Sequence, residues 1–225
     1  MIVPQMAEIA ALVGDPARAN ILNALFDGRA LTASELSFAA SVSPQTASGH
    51  LAKLTQANLL SVVKQGRHRY FKLASPLVAQ MLESIMAVAT MAPPRFRPRT
   101  PREDAMRRAR TCYDHFAGLL GVGIADSMCA RGHVVLSDEG GEVTDSGMAF
   151  LADLGADVST PSRRPFCRHC LDWTERRPHL AGIVGAAITL RCFDRGWVKR
   201  ERNPRTLTIT PKGQEGLRRT FGFAI

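Results

Sequence analysis

Cysteine and histidine are grouped in the second half of the chain. Cys112 and His115 lie in the tetrapeptide Cys-Tyr-Asp-His. Cys167, His169 and Cys170 form Cys-Arg-His-Cys, followed by Asp172, Trp173, Glu175, Arg176, Arg177 and His179. Three chemistries suit these residue types. Thiolate and imidazole are the usual ligands of borderline and soft transition metals, and Cys-x-x-Cys is a common half-site. On that reading Cys167, His169, Cys170, Cys112 and His115 are the candidate ligands of a metal or metalloid ion, although a second Cys-x-x-Cys or His-x-x-His is missing. A dithiol switch would use Cys167 and Cys170, and the nearby Arg163, Arg164, Arg168 and Arg176 are expected to lower their thiol pKa values. Alternatively, buried cysteines act as small hydrophobes, which suits Cys129 and Cys192. A small organic effector held by Trp173, Tyr113 and the arginines would overlap all three. The candidate effector or redox residues are therefore Cys167, Cys170, Cys112, His115, His179, Trp173 and Arg176.

These groups sit in a chain of 225 residues, 45% hydrophobic, with five cysteines and a formal net charge of +9. The length suits one large or two small domains. No 18-residue apolar run is present, which argues against a membrane span, and the N-terminus lacks a basic stretch ahead of an apolar core. An odd cysteine count in a chain too long to need disulfide staples fits a reducing, cytoplasmic setting. No Walker loop, no GxGxxG after a strand, no GxSxG and no HExxH occurs, so a catalytic motif is not the basis for any reading. The basic excess points to a polyanionic partner but is uneven. Residues 1–92 carry 7 Lys and Arg against 5 Asp and Glu, 93–111 carry 7 against 2, and 112–225 carry 15 against 13. The middle segment contains Pro93, Pro94, Pro98 and Pro101, which disfavour helix, and it reads as an extended linker over 93–103 between two domains, 1–92 and 104–225.

The elements that position the cysteines repeat at a spacing of 64 residues. His115 to Ile124 aligns with His179 to Ile188, and Arg131-Gly-His-Val134 with Arg195-Gly-Trp-Val198; over 115–136 against 179–200, 8 of 22 positions are identical. Thr144-x-x-Gly147-x-x-x-Leu151 matches Thr210-x-x-Gly213-x-x-x-Leu217 after a hairpin two residues longer. Each copy, about 112–158 and 167–221, reads as helix, short strand, hairpin, second strand and helix, with threonine as the last helix's cap. The expected fold class is mainly α with small β-hairpins (α+β): an N-terminal winged helix-turn-helix and a C-terminal domain of two helix-hairpin-helix, winged-helix-like repeats.

In the first domain, Asp15-Pro16 is an N-cap and first helical proline, opening a helix with Ile21, Leu22, Leu25 and Phe26. Thr32-Ala-Ser-Glu35 is a capping box for a short helix with Leu36, Phe38 and Ala39. Ser43-Pro44 starts another, whose Leu51, Leu54 and Leu59 form a buried stripe. Leu60–Val63 and Tyr70–Leu73 flank Lys64-Gln-Gly-Arg-His-Arg69, a basic hairpin tip. A last helix after Ser75-Pro76 carries Leu77, Met81, Leu82, Ile85, Met86 and Ala89. Two short helices joined by a tight turn and followed by a β-hairpin make the winged helix-turn-helix pattern.

Over about residues 5–90 the chain resembles the ArsR/SmtB family of bacterial winged-helix repressors. The resemblance rests on DPAR-x-x-IL-x-x-L, on S-x-x-T-x-S-x-H-L-x-x-L and on L-x-x-x-x-x-G-R-x-x-Y-x-L. It implies a homodimer bound to palindromic operator DNA, with the first and last helices at the dimer contact, and no cofactor needed for DNA binding. Residues expected to touch DNA are Ser43, Gln45, Thr46, Ser48, His50 and Lys53 on and before the recognition helix, and Lys64, Arg67 and Arg69 on the wing. The family's metalloid-sensor Cys-x-Cys has no match in Ser34–Ala40, and its zinc-sensor Asp and His pairs have none in Leu77–Thr90, where the one acid is Glu83. The expected function is a transcriptional regulator, a repressor released by a small-molecule, metal or oxidant effector sensed in the C-terminal domain. Two rivals are a constitutive repressor with a C-terminal oligomerisation module and a DNA reader fused to an unrecognised enzyme.

Overall fold

The computed structural model describes residues 2–66, 68–91, 100–137, 140–159, 164–201 and 205–225. The chain divides into two compact units, Met1–Leu82 and Glu83–Ile225. The structure is mixed helix and strand. Among the described residues no helix is long and apolar enough to cross a membrane.

The first unit is built from α1 (Ile2–Gly14), α2 (Pro16–Ala24), β1 (Leu31–Thr32), α3 (Ala33–Ala40), α4 (Pro44–Gln56), β2 (Leu60–Gln65), β3 (His68–Leu73) and the start of α5 (Pro76–Met91). Local side chains set its helix starts. The Asp15 carboxylate accepts from Arg18 N at 2.9 Å, Thr32 and Glu35 make both bonds of a capping box, and Ser43 Oγ accepts from Thr46 N at 3.2 Å. Each satisfies a backbone N–H that the helix leaves without a partner. Ile21, Leu22, Leu25, Phe26, Leu36, Ala47, Leu51 and Leu54 then converge, with Phe71 and Leu73 of the hairpin also buried. The three-stranded antiparallel sheet has the order β1-β3-β2, and Leu31 pairs with Phe71. Phe38 departs from expectation. The inward positions of α3 are Leu36, Ser37 and Ala40, which leaves Phe38 88% exposed.

The second unit begins within α5. It continues with α6 (Pro101–Arg108), β4 (Arg110–Cys112), β5 (His115–Ala117), α7 (Gly118–Ala130), β6 (Val134–Ser137), β7 (Gly140–Val143) and α8 (Asp145–Leu154). The order of two strands, helix, two strands, helix then recurs as β8 (Arg168–Leu171), β9 (Pro178–Ala181), α9 (Gly182–Asp194), β10 (Val198–Arg200), β11 (Leu207–Ile209) and α10 (Pro211–Phe221). Each strand pair is an antiparallel hairpin. Leu120, Ile124, Met128 and Leu151 share one apolar core with Leu180, Val184, Ile188 and Leu217.

Three features of this unit differ from the sequence reading. Each repeat opens with a hairpin rather than with a helix, because His115 and His179 are extended and register-paired with Cys112 and Cys170. The segment expected to be extended through residue 103 is helical from Pro101. Proline suits a first helical position, and Thr100 with Glu103 forms a capping box there; residues 92–99 lie outside the described residues. Cys129 is exposed on the last turn of α7, where Met128 takes the inward position, whereas Cys192 is buried.

The two later helices start alike. Thr144 Oγ1 accepts from Gly147 N and donates to Gly132 O; Thr210 Oγ1 accepts from Gly213 N and donates to Gly196 O. The helix start is pressed so close to the preceding turn that a Cβ on Gly147 would lie 2.1 Å from His133 O, and one on Gly213 would lie 1.9 Å from Trp197 O. Alanine normally gains about 1 kcal/mol over glycine in a helix. Gly147→Ala and Gly213→Ala should instead each destabilise the protein by roughly 1–3 kcal/mol, the usual cost of overpacking. Urea denaturation measures this, and a stabilised variant at either position would refute the contact.

Candidate functional site

Four ligand-type side chains meet where the hairpins before α7 and α9 come together. In β4–β5, Cys112 is the cross-strand partner of His115; in β8–β9, Cys170 is the cross-strand partner of His179. Directly opposed residues of an antiparallel pair project on the same face, so each hairpin presents one thiol and one imidazole together. One ligand atom from each of Cys112, His115, Cys170 and His179 lies within 4.8 Å of the others, and all four residues are buried. The imidazole rings are 5.1 Å apart, centre to centre. The close approach depends on glycine in the crossing helices. A Cβ on Gly121 would lie 2.4 Å from Phe116 O and 3.4 Å from His179 Cβ; one on Gly185 would lie 2.4 Å from Leu180 O and 3.2 Å from His115 Cβ.

Carboxylates stand behind both imidazoles. His115 Nδ1 is 3.3 Å from Asp114 Oδ1, and His179 Nδ1 is 3.5 Å from Asp172 Oδ2. Both Nε2 atoms, and His179 Nδ1 as well, are buried without a hydrogen-bond partner, and His115 Nε2 lies 3.8 Å from Glu83 Oε1. Asp114 accepts two bonds from Arg164, at 2.5 and 3.1 Å. Asp172 is buried against Arg110, with Nη2 to Oδ1 at 2.9 Å, and also accepts from Gly118 N, Thr174 N, Thr174 Oγ1 and Glu175 N. For His115, the carboxylate hydrogen-bonded to Nδ1 fixes the tautomer and orientation that leave Nε2 available to ligate.

Glu83 of α5 completes the cluster. Both thiols donate to it, Cys112 Sγ to Oε1 at 3.3 Å and Cys170 Sγ to Oε2 at 3.2 Å, and Arg168 Nη2 lies 3.1 Å from Oε2. Burial pushes the Glu83 carboxyl up to about 7, and Cys112 adds to the shift. Burial opposes charge on His115, but Asp114 and Cys112 outweigh it and lift the ring to about 9. Burial holds His179 below its ordinary value. Contact between the two thiols lowers Cys112 and raises Cys170, so the pair holds one thiolate more readily than two.

The remaining sequence candidates lie elsewhere in this unit. Cys167 belongs to the apolar core, and burial pushes its thiol up to about 11, against the lowering expected from the neighbouring arginines. His169 pairs with Leu180 and is half-buried, one residue out of phase with Cys170 along β8. Trp173 and Arg176 are in the loop that Asp172 organises. The Arg110 guanidinium stacks 4.5 Å above the Trp173 ring, and Arg176 N donates to Asp172 O at 2.8 Å. Sequence reasoning assigned no role to Glu83, Asp114, Asp172 or Arg110 in this cluster. A usable signal was present: Arg110-x-Cys112-x-Asp114 before His115-x-Ala117-Gly118 recurs as Arg168-x-Cys170-x-Asp172 before His179-x-Ala181-Gly182, with a longer loop.

In the first unit, α4 turns Ala47, Leu51 and Leu54 inward and leaves Gln45, Thr46, Ser48 and Lys53 exposed, with the cap Ser43 beside them. His50 is half-buried, with Nδ1 3.4 Å from Arg18 Nη1 of α2, which ties it to the helix packing. On the wing, Lys64 is the cross-strand partner of Arg69, and both are exposed. Arg67, at the hairpin tip, lies outside the described residues.

This surface can be set beside known proteins. Residues 15–62 match the bacterial regulatory protein, arsR family. Over 213 residues, 94% of each chain, the sequence is 40% identical to YdfF of Bacillus subtilis (strain 168), described as an uncharacterized HTH-type transcriptional regulator. The chain belongs to the arsR family of bacterial regulatory proteins. This arsR-family member is a DNA-binding transcriptional regulator, and its likeness to YdfF extends through the second unit. Solved structures similar to it include the homodimeric winged helix-turn-helix DNA-binding domain of Mb0332 from Mycobacterium bovis (20% identity, 44% of this chain and 91% of that one, TM-score 0.39). NolR from Sinorhizobium fredii is another (23% identity, 38% and 85%, TM-score 0.36).

The regulator's second unit should weaken in acid through Asp172. Burial pushes this carboxyl up, but Arg110, the neighbouring His179 and the hydrogen bonds from Thr174 and Arg110 outweigh it and hold it below its ordinary value. Its contribution is then full above the unfolded-state pKa of about 4 and is lost as pH falls through the depressed folded value. Asp172→Ala leaves Arg110 buried without this partner and should cost roughly 3–5 kcal/mol. Thermal melts of both proteins from pH 7 to pH 3 check this. The wild-type advantage should shrink with acidity; a constant difference would refute the assignment.

Proposed function

We propose that this regulator is a homodimeric repressor that reads an operator through α4 and the wing and is released when an effector acts on its second unit. The observation that carries the reading is the division of α4. Its apolar side is consumed by the core, and its first two turns present Gln45, Thr46 and Ser48 to solvent. These are groups that can hydrogen-bond base edges, Gln being a natural bidentate partner for adenine. Lys53, Lys64 and Arg69 flank them as phosphate contacts, with Arg67 entering the minor groove. His50, held by Arg18, contributes position rather than readout.

Exposed apolar side chains on the helices that begin and end the first unit support the dimer. Met6 of α1 is 65% exposed and Leu77 of α5 is 72% exposed. A second copy would cover these faces, as the family resemblance implies. The second unit is read as a sensor rather than an enzyme or a passive assembly module, because its buried ligand-type side chains are arranged around a carboxylate from α5. The protein is taken to act in the cytoplasm, where operator DNA and reduced thiols coexist.

Electrophoretic mobility shift with DNA from upstream of the protein's own coding region tests the reading face. Replacing Gln45, Thr46 and Arg67 together by alanine should weaken binding at least 100-fold, given roughly 1–3 kcal/mol for a good base contact. Lys64→Ala with Arg69→Ala should weaken all sequences alike and flatten the salt dependence. Unchanged affinity in the triple variant would overturn the assigned face.

A further inference from the structure

We propose that Cys112, His115, Cys170 and His179 form a binding site for one divalent, thiol-preferring transition-metal ion such as Zn(II), and that its occupancy is signalled through Glu83. Three independent observations support the site. The four ligand atoms lie within 4.8 Å of one another. Tetrahedral coordination at ordinary bond lengths needs separations of about 3.3–3.8 Å, so shifts on the order of 1 Å suffice. The Nε2 atoms of His115 and His179 are buried without hydrogen-bond partners. Each Nδ1 faces a carboxylate, Asp114 or Asp172, that an arginine holds in turn. Two thiolates and two neutral imidazoles are a common zinc ligand set, and carboxylates behind the imidazoles are its usual support.

The signalling step follows from what the metal removes. Both thiols donate to Glu83, and metal binding removes both bonds: M(II) takes two thiolates and two neutral imidazoles, so the protons held by Cys112, Cys170 and His115 leave for solvent. Glu83 then loses two donors, while Arg168 remains beside it. Approximate twofold symmetry marks this position as special. Arg110 of the first repeat meets Asp172 of the second, so the matching pair would be Arg168 with Asp114. Instead Arg168 meets Glu83, and Asp114 is served by Arg164. A residue from α5, the helix that continues from the DNA-reading unit, occupies the place where the repeats are unlike. The signalling half of the proposal rests on the effector-responsive reading above; the metal site does not.

The test uses the full-length protein, purified with a reductant and a chelator that is then removed. Titration with Co(II) should give one equivalent bound, visible bands of tetrahedral cobalt and near-ultraviolet sulfur-to-cobalt absorption of two-thiolate intensity. Zn(II) should displace it. Cys112→Ser with Cys170→Ser should abolish these bands, and Cys167→Ser or Cys129→Ser should keep them. Because the wild-type stoichiometry and intensity stand alone, a variant that fails to fold decides nothing against the site. Absence of stoichiometric tetrahedral cobalt, or full signal in a folded Cys112→Ser/Cys170→Ser protein, overturns it.

Mobility shifts with and without one equivalent of Zn(II) test the signal. At least a tenfold change in DNA affinity is expected in wild type, and a clearly smaller ratio in Glu83→Gln. Metal binding with unchanged DNA affinity overturns the signalling half and makes the site structural. Metal binding by a protein that shifts no DNA in either state overturns the operator reading and leaves the site standing.

Discussion

The second unit depends on one buried carboxylate. Asp172 sits in the second repeat, yet two of its partners, the Arg110 guanidinium and the N–H of Gly118, belong to the first. Its other bonds fold the loop that follows it, through Thr174 and Glu175. Burying an ion pair is costly, and it is tolerated where hydrogen bonds satisfy the remaining lone pairs and protons. Here the same oxygens that neutralise Arg110 also fix a helix start, close a hairpin loop and face His179 Nδ1 at 3.5 Å. The packing of the two repeats and the charge beside a ligand-type imidazole thus come from one group. A local change there cannot alter one without the other.

The sequence was most legible where structure is determined within a few residues. Asp15-Pro16, Thr32 with Glu35, Ser43-Pro44, Thr144 and Thr210 each satisfy a local N–H, and each marks a helix start. Register was harder. His115 and His179 read as helical because the alanine and glycine residues beside them continue into α7 and α9. Their extended conformation follows from pairing with Cys112 and Cys170, the latter across a loop spanning residues 172–177, and no helical or alternating period reveals that. No second Cys-x-x-Cys marks the cluster, since the hairpins bring thiol and imidazole together at unequal sequence spacing. Glu83 was the least legible. Its spacing places it on α5 like any helical acid, and only tertiary packing turns it to the thiols.

Charge shows a related division. The basic excess concentrates in 93–111, while the first 92 residues are nearly balanced. Within that segment Arg107 and Arg110 are engaged by Glu175 and Asp172, so part of the excess serves the second unit's own packing. Net charge therefore says more about encounter with DNA than about the face that reads it. The proposed reading face is the side of α4 that the core leaves uncovered.

A metal site acting as proposed would have to make two states of the protein differ in more than occupancy. An ion that bound a rigid, preformed pocket equally well in both DNA-binding states would shift nothing, however tightly it bound. The thiol contacts to Glu83 supply a difference, because the protons that make those hydrogen bonds are the protons a metal must displace. Occupancy and the S–H bonds to α5 are then mutually exclusive on chemical grounds, without any need for a large movement. The extent of regulation is set by how differently the two DNA-binding states accommodate a Glu83 that has lost those donors. A site within the repeats requires such an intermediary, and among the described residues of α5 Glu83 is bonded to both cysteines.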